Sequence, residues 1–269
     1  MSDTLPSLLL VGCGKMGGAM LSGWLERGLA SAVVVEPHAP NAAAFAGRVT
    51  VVPDAAAIPA GFAPAAVILA IKPQEAPAAL PQYARFANTA VSLSIMAGRT
   101  VASMRAALGE NAACVRAMPN TPAAVRQGYT VACPGPGVTP AQRALCDALL
   151  SAVGQVDWVE QEALIDPVTA VSGGGPAYVF LLAEVMEAAA IEQGLPPALA
   201  RRMARATVAG SGALLAASEQ DAADLRKAVT SPKGTTERAL AVLMEPEAWP
   251  RLMSKAIAAA TARARELAG

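Results

Sequence analysis

Residues 8–20 read Leu-Leu-Leu-Val-Gly-Cys-Gly-Lys-Met-Gly-Gly-Ala-Met, an apolar run that passes through three spaced glycines into an amphipathic pattern. Few folds accommodate that order. Gly12 permits a tight turn, Gly14 lets the backbone approach a pyrophosphate, and Gly17 lets a helix pack closely on the preceding strand. Met20, Leu21, Trp24 and Leu25 continue the apolar stripe of a helix that closes near Gly28. A helix N-terminus placed there offers free N–H groups and the positive end of its dipole to phosphate. The loop Gly12, Cys13, Gly14, Lys15, Met16 and Gly17 is therefore the expected dinucleotide cradle. The alternative is a tight strand–helix turn that holds no ligand.

The next strand bears on that choice. Ala32 to Val35 is short and apolar and ends in Glu36-Pro37. An acidic residue at the end of a second strand is placed to accept from the hydroxyls of an adenosine ribose and to repel a 2′-phosphate. A solvated glutamate at a strand end is the competing reading. His38, the only histidine, lies in the same loop and is expected at the surface.

Composition narrows the partners. The chain has 269 residues, 21 basic and 21 acidic, so net charge argues for neither nucleic acid nor a membrane surface. Hydrophobic residues make up 54% but aromatics only 4%, which suggests closely packed, alanine-rich helices. Glu184 and Glu187 break one apolar stretch and Arg201, Arg202 and Arg205 the next, so no uninterrupted run approaches the roughly 20 residues of a span. Met1-Ser-Asp-Thr lacks the basic start of a signal peptide, and a cytoplasmic protein is expected. Cys13, Cys114, Cys133 and Cys146 are scattered and form no C-x-x-C pair. With a single histidine, no metal site is expected. Buried thiols are the default, although Cys13, inside the glycine loop, is a candidate for chemical exposure.

Strands and helices then alternate. Val67–Ile71 ends in Lys72-Pro73, Val91–Ile95 in Met96-Ala97-Gly98, and Cys114–Met118 in Pro119-Asn120. Thr100 opens a helix through Leu108; Tyr129–Cys133, a helix from Thr139-Pro140 and Val156–Val159 follow. The pattern is that of an α/β Rossmann-type, doubly wound parallel sheet, with the ligand beyond the carboxyl ends of the strands. Ala70, Ile71, Lys72, Pro73, Met96, Ala97, Gly98, Pro119 and Asn120 would line the cofactor trough. After Asp166-Pro167 the texture is helical only: Pro176–Gln193, Pro197–Ala217, Asp224–Val229, and Thr236 to the end. We place the dinucleotide-binding domain at 1–162 and an all-helical dimerisation and substrate domain at 163–269. So small a helical domain cannot bury its Ala/Leu faces alone, and a homodimer would cover them.

Two stretches in the helical part are unusual connections. Ser172-Gly-Gly-Gly-Pro-Ala-Tyr178 interrupts an apolar segment, and Ser231-Pro-Lys-Gly-Thr-Thr-Glu237 links two helices. Backbone N–H groups and the hydroxyls of Ser231, Thr235 and Thr236 would make a nest for a small carboxylate. Read from the residues alone, an elaborate capping sequence explains the second stretch equally well.

The ordered set of motifs resembles the pyrroline-5-carboxylate reductases. It comprises Val11-Gly-x-Gly-x-Met-Gly17, Ala70-Ile-Lys-Pro73, Ser94-Ile-Met-Ala-Gly98, Arg116-Ala-Met-Pro-Asn-Thr-Pro122, Ser172-Gly-x-Gly-Pro-Ala-Tyr178, and Leu225 through Thr236. The resemblance runs end to end, and its last three motifs are specific to that family. It implies NAD(P)H-dependent reduction of 1-pyrroline-5-carboxylate to L-proline, helical dimers, and rings of dimers in many members. It also implies that Ser231, Gly234 and Thr235 hold the substrate carboxylate, that Thr236 bonds the ring nitrogen as the catalytic group, and that Ser172 and Gly174 lie at the substrate. One departure is clear: the family usually reads Ser-Pro-Gly-Gly-Thr-Thr, and Lys233 replaces the first of those glycines. Where φ must be positive, a lysine costs about 1 kcal/mol; its ammonium could instead attract the carboxylate.

Such a reaction suits the residues at hand. Hydride addition to an iminium needs placement more than a strong acid, so a hydroxyl suffices to orient the nitrogen. A β-hydroxyacid dehydrogenase is the alternative enzyme, but its helical domain carries a catalytic lysine, and Glu160 through Arg226 contains none. A non-catalytic dinucleotide sensor is the alternative of another class, disfavoured by the hydroxyl-rich loop. Glu36 points to NADH; family habit points to NADPH.

Overall fold

The computed structural model describes residues 4–268. It divides by compactness into a first unit, residues 1–173 with 260–269, and a second, residues 174–259. The first holds one eight-stranded sheet in the order β3-β2-β1-β4-β5-β6-β7-β8. Its elements are β1 (Leu8–Val11), α1 (Lys15–Glu26), β2 (Ala32–Val35), the single turn α2 (Ala39–Ala42), β3 (Thr50–Val52), β4 (Ala66–Leu69), the single turn α3 (Ala76–Ala79), β5 (Val91–Ser94), α4 (Val101–Leu108), β6 (Cys114–Met118), β7 (Gly128–Pro134), α5 (Pro140–Leu150), β8 (Gly154–Trp158) and the single turn α6 (Ile165–Val168).

β1 lies between β2 and β4, parallel to both, and each of its residues is buried. Buried on both faces, such a strand needs apolar residues throughout rather than alternation. Leu8 and Leu10 join Trp24, Val34, Ile68, Leu93 and Leu149 on one side of the sheet. Leu9 and Val11 join Val33, Val67, Leu69, Phe86 and Met104 on the other. Trp24 Nε1 donates to the Leu149 carbonyl at 2.8 Å, which ties α1 to α5 and satisfies a buried donor. Thr100 caps α4 by accepting from the Ser103 N–H, and Thr139 with Gln142 forms a capping box on α5.

One feature departs from the purely parallel expectation and one adds a strand to it. β7 runs antiparallel to β6, with Met118 opposite Val131. Only residues 119–127 separate the two strands, and a parallel crossover needs about a dozen residues or more. β3, which the strand pattern does not announce, pairs parallel to β2 with only Val52 buried.

The second unit contains α7 (Gly175–Glu192), α8 (Pro197–Ala217), α9 (Ala222–Ala228), α10 (Thr235–Leu243) and most of α11 (Trp249–Ala268). The single helix expected from Thr236 onward is broken at 244–248, where Pro246 cannot donate to an intrahelical bond. Large apolar side chains stand open: Phe180 is 67% exposed and Leu214 57%. Averaged over an 18-residue window rather than counted as unbroken runs, the helical stretch Glu162–Glu192 reaches a mean hydropathy of 1.3 and is long and apolar enough, by length and composition alone, to cross a membrane. Counting unbroken runs therefore does not separate this stretch from a span.

Candidate active site

The glycine loop is built for backbone approach. Gly12 has φ +92°, and a Cβ there would lie 2.7 Å from the Ala70 carbonyl oxygen, so β1 and β4 close on each other at this point. A Cβ on Gly17 would overlap the Gly12 carbonyl, the close helix–strand packing the fingerprint requires. At Gly14 a Cβ would meet nothing within 4 Å; this residue opens α1, and the space beside it is where phosphate would lie. Lys15 and Met16 form the first helical turn, with Lys15 exposed. Cys13 departs from its expectation. It is 2% exposed, and burial first, then the charge of Glu36, push its thiol up to about 11, so it is inert rather than chemically exposed.

Glu36 is not a solvated strand end. It is 6% exposed, and its carboxylate accepts from the Cys13 N–H at 2.8 Å and from the His38 N–H at 2.9 Å. The acidic group is thus fastened to the glycine loop itself. His38 is exposed, as expected.

The other strand ends gather along the same edge. Ala70 N–H donates to the Val11 carbonyl at 2.8 Å. Arg99, which motif reading leaves aside, donates through Nε and Nη2 to the Pro73 carbonyl at 2.9 and 2.6 Å. It clamps the Ala70–Pro73 turn to the Met96–Gly98 turn. Ser94 Oγ accepts from the Met96 N–H at 3.2 Å. Gly98 has φ +68°, and a Cβ there would lie 2.8 Å from the Leu267 carbonyl oxygen, because the end of α11 rests on this turn.

At the end of β6, Asn120 Nδ2 donates to Ser172 Oγ at 3.2 Å and its Oδ1 accepts from the Tyr129 N–H at 2.9 Å. Ser172 does not lie in a plain loop: Thr169–Gly173 forms a π-turn, an irregularity common at functional sites. A second residue from the same motif, Arg116, is buried and pairs with Glu162 at 3.1 Å and Asp166 at 3.3 Å. Removing one partner of such a buried cluster costs about 3–5 kcal/mol. The motif names Arg116 but says nothing of its partners, which are remote in sequence.

In the second unit, Ser231–Gly234 forms a loop leading into α10, whose first turn begins with Thr235 and Thr236. Gly234 is the helix N-cap and makes no side-chain cap bond, so the hydroxyls of Thr235 and Thr236 belong to the first turn and do not cap it. The first N–H groups of a helix have no intrahelical acceptor, which leaves them for a carboxylate. Lys233 has φ +59°, the left-handed conformation its replaced glycine would favour. Its backbone N–H is taken by the Glu237 carboxylate, and the Gly234 N–H by the Ser231 carbonyl at 3.0 Å. The Lys233 and Gly234 N–H groups are therefore occupied within the loop. Gly174 stands just before α7, at ordinary helical φ and ψ. No group of three or more potential metal ligands occurs among the described residues.

Residues 162–267 match a family model described as pyrroline-5-carboxylate reductase dimerisation, and residues 7–98 one described as NADP oxidoreductase, coenzyme F420-dependent. The chain is 36% identical to the pyrroline-5-carboxylate reductase of Pseudomonas aeruginosa, over 98% of this chain and 97% of that one. The chain belongs to the pyrroline-5-carboxylate reductase family. The enzyme of that name from Mycobacterium tuberculosis is 35% identical over 97% of this chain and 96% of its own. A solved pyrroline-5-carboxylate reductase from Coxiella burnetii superposes with a TM-score of 0.89 at 31% identity, covering 97% and 98% of the two chains. Membership establishes a nicotinamide-dependent oxidoreductase with a dimerisation domain, and the exposed helices of the second unit have the surface such a domain needs.

Proposed function

We propose that this reductase converts 1-pyrroline-5-carboxylate to L-proline. The full-length match to named reductases carries the reading; the hydroxyl-lined loop before α10 supports it. The reduced nicotinamide, when bound, supplies the hydride, which adds to the C=N carbon as the iminium nitrogen becomes the amine of proline. The chain does the placing. Gly12, Cys13, Gly14, Lys15, Met16 and Gly17 would hold the pyrophosphate, and Ala70–Pro73, Met96–Gly98, Pro119 and Asn120 would line the nicotinamide half. Ser231 and Thr235 would hold the substrate carboxylate, with Gly234, its N–H bonded to the Ser231 carbonyl, shaping the loop rather than donating, and the Lys233 ammonium adding attraction. Thr236 would orient the ring nitrogen, with Ser172 and Gly174 beside the substrate.

NADH is the favoured cofactor. The buried Glu36 carboxylate, fastened at two points, suits ribose hydroxyls and opposes a 2′-phosphate. We assign residues 1–162 to cofactor binding and 163–269 to dimerisation and substrate, in a cytoplasmic enzyme whose dimers are able to build larger rings. The decisive experiment is oxidation of NADH or NADPH on addition of pyrroline-5-carboxylate. Turnover of 3-hydroxyacids with oxidised cofactor, and none of the imine, would overturn the assignment. Thr236→Val should then lower kcat/KM by about tenfold or more, since a hydrogen bond to a charged group contributes ~1.5–3 kcal/mol. Unchanged kinetics would remove Thr236 from the chemistry.

A further inference from the structure

β7 runs antiparallel to β6, so the first residues of β7 stand at the same sheet edge as the last of β6. That places the Tyr129 backbone opposite Asn120, and three hydrogen bonds close a ring. The Tyr129 N–H donates to Asn120 Oδ1 at 2.9 Å, Asn120 Nδ2 donates to Ser172 Oγ at 3.2 Å, and Ser172 Oγ donates to the Tyr129 carbonyl at 3.5 Å. The direction of every bond follows from the first. A backbone N–H can only donate, so the amide oxygen must face it and the amide nitrogen must face Ser172. The serine oxygen is then an acceptor toward Asn120, and its proton is left for the Tyr129 carbonyl.

We infer that Asn120 is a positioning residue that holds the Ser172 hydroxyl as a hydrogen-bond acceptor at the sheet edge where the nicotinamide half of the cofactor is proposed to lie. With its proton committed and one lone pair used, Ser172 Oγ has one lone pair left to offer. The matching ligand chemistry is an N–H donor. Two sources are at hand in the proposed reaction: the carboxamide NH2 of the nicotinamide, and the nitrogen of the substrate ring. The inference rests on that reaction and adds a direction to it. The serine receives a proton-bearing group and donates none to the substrate. The π-turn at Thr169–Gly173 carries Ser172 into the ring, and Arg116, paired with Glu162 and Asp166, fastens the segment before it.

The test uses Ser172→Ala, Asn120→Asp and the double variant in the full chain. Asn120→Asp keeps an oxygen for the Tyr129 N–H but cannot donate to Ser172; the serine proton turns toward the new carboxylate, its bond to the Tyr129 carbonyl is released, and the ring that orients the hydroxyl opens. Each single variant should lose about threefold to tenfold, the range of one hydrogen bond, with Tm unchanged. NADH titrated by fluorescence without substrate separates the two sources. A weakened Kd in both variants identifies the carboxamide; an unchanged Kd with a fall in kcat identifies the ring nitrogen. The double variant should be no worse than Ser172→Ala, and Ser172→Thr, which keeps the hydroxyl, should restore most of the loss. Additive losses would overturn the inference, because Asn120 would then act on the ligand directly or by charge. So would single variants within twofold of the parent in both readouts. Failure of the parent chain to reduce the imine would instead remove the proposed reaction, a result read before any variant is made.

Discussion

The two units of this chain solve the burial problem in opposite ways. In the first, the sheet is covered on both faces: Leu8, Leu9 and Leu10 are 0% exposed, and β1, β2 and β4 each contribute to both apolar layers. In the second, α7 has no buried residue and α8 only Ala200 and Ala204. Phe180, Leu181, Val185, Leu214 and Leu215 are each at least half exposed. Exposed apolar area on that scale is characteristic of an interface rather than a monomer surface. The first unit therefore contains its own stability; the second obtains its own from another copy. Within the first unit the strand ends are prebuilt, with Arg99 and Glu36 already fastened to backbone groups; the helices of the second are left to assembly.

The largest effect should come from breaking the dependent half. Leu214→Glu places a charge on the face of α8 that assembly would bury, where an unpaired charge is costly. Dimer association, followed by light scattering against concentration, should weaken at least about thirtyfold, as for hot-spot residues that contribute about 2 kcal/mol or more. Reductase activity should fall with the dimer. NADH affinity should stay within about threefold of the parent. A cofactor site lost together with the dimer would contradict the self-sufficiency of the first unit.

The sequence makes these units unequally legible, for physical reasons. The strand–glycine–helix order at 8–26 and the helix Pro197–Ala217 are local patterns, and both are found where the residues put them. The direction of β7 is not in its own residues, since Tyr129–Cys133 reads the same either way. The signal lay in the short connection 119–127, which leaves no room for a crossover. β3 was missed because three residues with one buried side chain make almost no pattern. Glu36 was legible as to place but not burial, since its partners are backbone N–H groups supplied by the folded loop. The Asn120–Ser172 bond and the Arg116–Glu162–Asp166 cluster join residues far apart in sequence. Motifs brought Asn120, Ser172 and Arg116 to notice singly, but neither Glu162 nor Asp166; only the fold pairs them.

A smaller effect should sharpen the account of the prebuilt half. Glu36→Ser removes the carboxylate that opposes a 2′-phosphate, and the ratio of kcat/KM for NADH to that for NADPH should move toward NADPH by about tenfold to a hundredfold, equivalent to 1.4–2.8 kcal/mol. Because the serine also leaves the Cys13 N–H without its buried acceptor, affinity for NADH should drop as well. An unchanged ratio would show that the fastened carboxylate faces away from the ribose and serves only to brace the glycine loop.

The smallest effect compares one strained residue in each unit. Arg126 and Lys233 both hold positive φ, at 61° and 59°. Arg126 is compensated: its guanidinium bonds Glu26, Ser22 and the Ala19 carbonyl. The Lys233 ammonium has no ion-pair partner among the described residues, and only its backbone N–H is engaged, by Glu237. Relieving a left-handed non-glycine gains about 1–2 kcal/mol, and the freer unfolded chain of a glycine returns about 0.5–1 kcal/mol of that. Lys233→Gly should therefore raise Tm by about 2 °C, whereas Arg126→Gly should lower it, because the same relief is outweighed by the lost bonds. Kinetics supply the functional half of the comparison. If Lys233 draws in the substrate carboxylate, its removal raises KM about twofold to threefold and flattens the dependence of KM on salt, while kcat holds. A higher Tm with KM and its salt dependence unmoved would mean that this chain carries the strain of Lys233 without using its charge.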